Sequence, residues 1–360
     1  MIPDSSPHYT YATKITTAYL HREAGSYAIG HEPTPETPVP LKIAYRRYEA
    51  TNAIPPAATA INLVLFHGTG MNKGLWHYHI DQLYRRFSSS ATIRINTVLA
   101  MDAINHGDSA VANRGRLGSR YDWRDGGYDI VKVVTKDEAS SFLSSHQRHI
   151  NVLVGHSFGG CTVMFAASFG LEVFDCCIPI NPVCYFAPEE RFVRQKAMTD
   201  WWYKGYLNSR VAVATAQDYW LVVLKKYQKN VFYARFHPLV LSNFVEDEIP
   251  PEVGSLADGD TLELKTSTEV QRLLYSYSDF NDANGQAALA NIKIPVFLIY
   301  GENDLADAKN RNHTREVLKQ SCRYIEIPKG GHVLHAEEPD LTVHLLGLII
   351  EERCIIRSRL

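Results

Sequence analysis

The residues Gly155-His156-Ser157-Phe158-Gly159 set a serine midway between two glycines. The spacing suits a nucleophile: a serine on a sharp strand-to-helix turn presents its hydroxyl, and the glycines let the tight backbone pass without Cβ clashes. At glycine and serine frequencies of roughly 7% each, the bare pattern arises by chance in about one chain of this length in ten, so its surroundings must carry the argument. They do: Asn151 to Val154 reads as a buried strand directly before it, and Gly160 to Ser168 as a small-residue helix directly after.

A serine hydroxyl is a weak nucleophile near neutral pH and needs a base within reach and a third group to orient that base. Among 15 histidines, His332 is the candidate base, because Gly330-Gly331-His332 follows the last apolar run and a turn at Pro328, on a loop free to reach over the serine turn. His335 belongs with the start of the following helix, and His67, His106 and His156 read as braces for the loops that carry them. The candidate acid is Asp304, which ends the segment after the strand Pro295 to Tyr300, where a carboxylate can reach His332 Nδ1. Its competing role is a helix N-cap ahead of Ala308 to Lys319, and Glu302 and Asp307 share the same loop. An oxyanion needs two backbone donors. The N–H after the serine belongs to Phe158, and the second is expected from His67-Gly68-Thr69-Gly70, with Thr69 N–H the choice. This chemistry calls for neither cofactor nor metal.

Positioning these groups falls to short apolar runs of the buried parallel type: Ile61 to Phe66, Arg94 to Met101, Ile150 to Val154, Cys176 to Ile180, Val296 to Tyr300 and Tyr324 to Ile327. Helical patterns follow most of them, which implies a mostly parallel sheet covered on both faces. Lys14 to Arg22 and Leu41 to Ala50, separated by a proline-rich loop, read as an antiparallel edge that brings the count to eight strands. From residue 182 to 293 the pattern is helical with no clear buried strand, and it is rich in aromatics such as Trp201, Trp202, Tyr203, Tyr206, Tyr219, Trp220, Phe232 and Phe236. The expected organisation is a core of 1–181 and 294–360 interrupted by a helical cap or lid at 182–293, after the sixth strand.

With 360 residues, 45% hydrophobic and 21% charged, the chain can bury a large core. Its net charge of -2 and lack of basic runs disfavour nucleic acid as a partner. The six cysteines form no C-x-x-C pair and are expected to be reduced and the protein intracellular. The first ten residues lack the features of a secretory signal, and Gly155 to Gly160 interrupts the longest apolar stretch, so no transmembrane segment is expected.

Taken together, His67-Gly68-Thr69-Gly70, the Asp102-to-Ser109 segment with its His106-Gly107-Asp108, the serine turn, Gly301 to Asp304 and Gly331-His332 resemble the α/β-hydrolase superfamily over nearly the whole chain. Within it, Asn62 to Met71 and Asn105 to Gly118 are similar to a yeast peroxisomal lipase and to fungal peroxisomal hydrolases of toxin and other secondary-metabolite pathways, some acting on acyl-CoA thioesters. The resemblance implies that in several of these relatives the acid follows the sixth strand, at the position of Asn181. Asparagine cannot supply that charge, so the acid is expected to have moved to Asp304, with a residue near Asn181 as the alternative. Ser358-Arg359-Leu360 is a variant of the S-K-L signal read by a peroxisomal import receptor, the expected protein partner. Oligomeric state is left open.

Three classes of activity follow. The leading one is hydrolysis of an ester or acyl-CoA thioester through an acyl-serine, with the aromatic insertion as a lid over an apolar acyl chain. Acyl transfer to a small-molecule acceptor uses the same triad in a drier site. A non-catalytic binding module is disfavoured by the intact set of groups, and epoxide or haloalkane hydrolysis by the serine itself, because relatives with those activities carry aspartate there. Arg191, Arg194, Lys196 and Lys204 suit either contact with CoA phosphates or a solvated helix face, the commoner use of such charges.

Overall fold

In the computed structural model the described residues are 6–28, 30, 39–145, 148–184, 209–212, 218–255, 260–276, 278–319 and 322–358. The first half contains β1 (Tyr9–Thr17), β2 (Lys42–Ala50), β3 (Thr59–Phe66), α1 (His77–Phe87), β4 (Ile93–Met101), α2 (Gly107–Ala112), α3 (Trp123–Lys132), α4 (Ala139–Phe142), β5 (His149–His156), α5 (Phe158–Ser168) and β6 (Cys176–Ile180). There follow β7 (Arg210–Ala212), α6 (Tyr219–Lys229), α7 (Pro238–Glu248), β8 (Thr261–Glu263), α8 (Thr268–Ser276) and α9 (Ser278–Leu289). The chain closes with β9 (Val296–Asn303), α10 (Ala308–Leu318), β10 (Cys322–Gly331), α11 (Leu334–Glu337) and α12 (Pro339–Ser358).

Eight strands form one sheet in the order β1-β2-β4-β3-β5-β6-β9-β10. The joins β1 to β2 and β2 to β4 are antiparallel, and the others are parallel. Strands buried on both faces read as continuous apolar runs, and β3 shows why. Ile61, Leu63 and Leu65 pack on one side with α1 and α12, whereas Val64 and Phe66 pack on the other with α3 and α5. The expected α/β-hydrolase architecture is therefore the one observed.

Two expectations are corrected. The first strand runs from Tyr9 to Thr17 rather than from Lys14 to Arg22. Tyr9 anchors its start, buried edge-on to Tyr48 with ring centroids 5.5 Å apart. Arg22 is instead drawn into an ion pair with Asp129 on α3, which takes its segment away from the sheet. The stretch between β6 and β9 also contains strand: β7 and β8 pair antiparallel over three residues each, and only Val211 and Leu262 of them are buried. So short a pairing leaves no periodic trace. Arg191, Arg194, Lys196, Lys204, Trp201, Trp202, Tyr203 and Tyr206 lie outside the described residues, as do Arg359 and Leu360. All six cysteines are free thiols. Among the described residues no helix is long and apolar enough to cross a membrane.

A buried charge cluster fastens the segment between β6 and β9 to the strands and loops before it. Lys73, fully buried, donates from Nζ to Asp102 at 2.9 Å and to Asp108 at 2.6 Å, with Asp247 of α7 at 3.5 Å. Arg46 and Lys265 add further partners, at 2.5 Å from Asp247 and 2.6 Å from Asp108. Removing one member of a buried set leaves the opposite charges uncompensated, at a cost of about 3–5 kcal/mol. Lys73→Met is therefore expected to lower unfolding stability by about that amount in a urea titration. A loss below about 1 kcal/mol, the range of an exposed pair, would show that the cluster does not stabilise the fold.

Candidate active site

Ser157 stands between the end of β5 and the start of α5, with φ 57° and ψ -123°. A residue other than glycine held in such a sparsely populated conformation costs about 1–3 kcal/mol and persists only where its surroundings over-determine it. Here they do. Ser157 N–H donates to Ile180 O at 3.1 Å, and its own carbonyl accepts from Val183 N–H at 3.1 Å and Cys161 N–H at 3.2 Å. The flanking glycines are a matter of space: a Cβ at Gly155 would lie 2.3 Å from Gly159 O, and one at Gly159 2.2 Å from His67 O.

His332 follows directly on β10, and its Nε2 is 3.0 Å from Ser157 Oγ. Its Nδ1 is 2.5 Å from Asp304 Oδ1, on a carboxylate whose side chain is 1% exposed. Because a carboxylate accepts, Nδ1 carries the ring proton and the Nε2 lone pair faces the serine hydroxyl. The second Asp304 oxygen accepts from Ala306 N–H at 3.2 Å, while the N-cap of α10 is Asp307, accepting from Asn310 N–H at 2.9 Å. Glu302 is engaged by Lys329 N–H at 2.8 Å. Of the three acids on this loop, the one on the imidazole is Asp304. Asn181 hydrogen bonds to backbone groups of Gly331, His332 and Gly301.

The loop after β3 lies against the serine, since a Cβ at Gly68 would be 3.3 Å from Ser157 Cβ. Thr69, buried to 7% exposure, follows it. Phe158 opens α5, so its N–H is one of the first-turn donors that a helix does not use internally. The structure thus brings the Thr69 and Phe158 segments to either side of Ser157.

His67, His106 and His156 brace loops. His67 Nε2 accepts from Ala103 N–H at 3.0 Å, so its Nδ1–H donates to Gly68 O at 2.8 Å. Burial pushes it down to about 4 and keeps it neutral. His106 accepts from Gly70 N–H at 3.2 Å, and His156 Nε2–H donates to His332 O at 2.8 Å. His335 is buried in α11 with its ring 3.9 Å from that of His156.

Sequence reasoning missed the supports beneath the loop. Tyr233 O–H donates to Gly70 O at 2.9 Å. Glu248, buried at the end of α7, accepts from Asn72 Nδ2 at 2.9 Å and from Thr266 N–H at 2.6 Å. Burial outweighs those hydrogen bonds and pushes its carboxyl up to about 7. Arg311 of α10 holds the end of β9 by donating to Gly301 O and Glu302 O, each at 3.0 Å. These are side chains joined across long stretches of chain, and a local pattern carries no signal of them.

The model of the Alpha/beta hydrolase family matches residues 63–345. The peroxisomal membrane protein LPX1 of Saccharomyces cerevisiae is 27% identical over 311 residues, 82% of this chain and 76% of that protein. The solved structure of the peroxisomal alpha-beta-hydrolase Lpx1 from the same yeast aligns with a TM-score of 0.81 at 24% identity, over 98% of this chain and 91% of that one. A more local similarity, 26% over 148 residues, covers 41% of this chain and 32% of the type I acyl-CoA thioesterase mpaH of Penicillium roqueforti.

Glu248 gives the loop's support a pH dependence. Its folded carboxyl holds a proton up to about 7 against an ordinary value of 4.5, so the folded state binds the proton more tightly. Stability from this group is greatest below pH 4.5 and is lost as pH rises through about 7. Glu248→Gln should flatten the fall in thermal midpoint across that window, while Asp125, also pushed up to about 7 by burial, keeps its own share of the slope in both proteins. Equal slopes in the two proteins would mean that Glu248 ionises freely in the fold.

Proposed function

The chain belongs to the Alpha/beta hydrolase family, and on that premise we propose that it is a serine hydrolase cleaving a carboxylic ester or acyl-CoA thioester of an apolar acyl substrate. The observation that carries this reading is the hydrogen-bonded line from Ser157 Oγ through His332 to Asp304, at 3.0 Å and 2.5 Å. In the proposed reaction Ser157 Oγ attacks the acyl carbon as His332 Nε2 takes its proton. Asp304 stabilises the imidazolium, and the N–H groups of Phe158 and Thr69 receive the oxyanion. Collapse breaks the bond to the leaving alcohol or thiol, which takes the proton from Nε2. Water then repeats the attack on acyl-Ser157, with His332 as its base, and releases the acid.

The apolar acyl chain is supported by the aromatic residues of the segment between β6 and β9, read here as a lid. The thioester option draws on the local similarity to mpaH. A peroxisomal location draws on the similarity to yeast LPX1 along most of the chain. Ser358-Arg359-Leu360 is the proposed contact for the import receptor.

Three experiments test the reading. A fluorophosphonate probe should label the wild-type protein at one site, and Ser157→Ala should abolish labelling. On a panel of acyl-CoAs and neutral esters, Asp304→Asn should fold normally and lower turnover by about four orders of magnitude. Labelling that survives the loss of Ser157 would assign the nucleophile elsewhere. For location, the protein tagged at its N-terminus should give punctate fluorescence coincident with a peroxisomal marker, and deletion of Ser358-Arg359-Leu360 should make it diffuse. A punctate pattern that persists after the deletion would reject the tripeptide as the address.

A further inference from the structure

Asn181, directly after β6, is fully buried and has a left-handed φ of 44°. Its side-chain amide uses both of its chemistries. Nδ2 donates to Gly331 O at 2.9 Å and to His332 O at 2.7 Å, while Oδ1 accepts from Gly301 N–H at 2.8 Å. The His332 carbonyl takes a second donor from His156 Nε2–H at 2.8 Å. On the other side, Gly301 O accepts from Asp304 N–H at 3.2 Å and from Arg311 at 3.0 Å. One buried amide is thus hydrogen-bonded both to the strand end from which Asp304 extends and to the carbonyl of the residue that faces Ser157.

We propose that Asn181 is a positioning residue that sets the spacing between Asp304 and His332 and so aims His332 Nε2 at Ser157. The proposal rests on the serine-hydrolase reading above. The two loops come from β9 and β10, whose register shifts between Ile327 and Gly331 before a last pair, Gly331 with Asn303, that immediately precedes His332 and Asp304, so the spacing reaches the site through an irregular stretch of ladder. The amide adds a side-chain cross-link across this irregular stretch. Aspartate has the same shape but no donor: it would set a carboxylate oxygen against two carbonyl oxygens that now stand 2.7 and 2.9 Å from a nitrogen. A carboxylate at this position therefore disrupts the site, although it is a candidate acid by chemistry.

The test compares Asn181→Gly, Asn181→Asp and the double variant Asn181→Asp with Asp304→Asn, assayed where circular dichroism shows each protein folded. Glycine removes the amide and accepts the positive φ, so it adds no backbone strain. Asn181→Gly should lower kcat and the fluorophosphonate labelling rate by roughly 10- to 100-fold, the scale of a reacting group misplaced by about 1 Å. KM should stay within about twofold, as expected when ground-state binding is untouched. Asn181→Asp should lose at least as much and should not rescue Asp304→Asn. If Asn181→Gly does not fold, Asn181→Ser, with one hydroxyl in place of the amide, carries the same comparison. Wild-type kcat in a folded variant, even one with a lower thermal midpoint, would reduce Asn181 to a structural role and overturn the proposal. Rescue of Asp304→Asn by the carboxylate at 181 would overturn it as well, by making this a second acid position. Failure of the wild-type protein to label at Ser157 would instead reject the underlying reading.

Discussion

The backbone of Ser157 is the constraint on which the rest of the site depends. Its conformation is unfavourable for an L-residue, so it lasts only while neighbours hold it from several directions. Those neighbours come from separate parts of the chain: Ile180 ends β6, Val183 follows it, and Gly68, in the loop after β3, lies against the Ser157 side chain. The turn depends on β3, β5 and β6 standing in register, because the contacts around Ser157 connect their ends. The geometry of the site and the register of the sheet are in this sense one property of the molecule.

The same edge of the sheet collects the other groups. β9 finishes beside β6 and β10 beside β9, and after the irregularity between Ile327 and Gly331 their last pair, Gly331 with Asn303, leads directly to His332 and Asp304. Buried side chains reinforce the backbone ladders here: His67, His106 and His156 as neutral donors and acceptors, Arg311 as a clamp on β9, and Tyr233 on the loop after β3. Neutral imidazole suits this work, since it can donate from one nitrogen and accept at the other without bringing a buried charge.

What the sequence made legible follows from the range of each interaction. Parallel strands announce themselves because both faces are apolar, and all six, together with β2 at the antiparallel edge, were found within a few residues of their observed limits. Gly155, Ser157 and Gly159 are legible because a tight turn constrains residues next to one another. The edge strand was misplaced because one buried tyrosine, Tyr9, sets its position, and β7 and β8 were invisible because three residues make no period. At the site, Asp304 was the expected acid with a helix N-cap as its competing role, and what separates the two roles is a partner 28 residues from Asp304 and a cap supplied by Asp307 to a residue 3 positions on. Lys73 and Glu248 gave no sign at all, since a charged residue in isolation reads as surface and its burial is decided by partners far along the chain.

The ion cluster at Lys73 also bears on how such a chain can change over evolutionary time. Asp247 and Glu248 belong to the segment between β6 and β9, yet Asp247 is one of the counterions of a core lysine and Glu248 receives the amide of Asn72 in the loop beside Ser157. A segment joined in this way is not an interchangeable module. Transplanting it from a relative that lacked the two acids would leave a cation without its full neutralisation and a loop without its support. New specificities are therefore reached more readily by substitutions within the segment than by exchange of the whole, with residues 247 and 248 the last to vary.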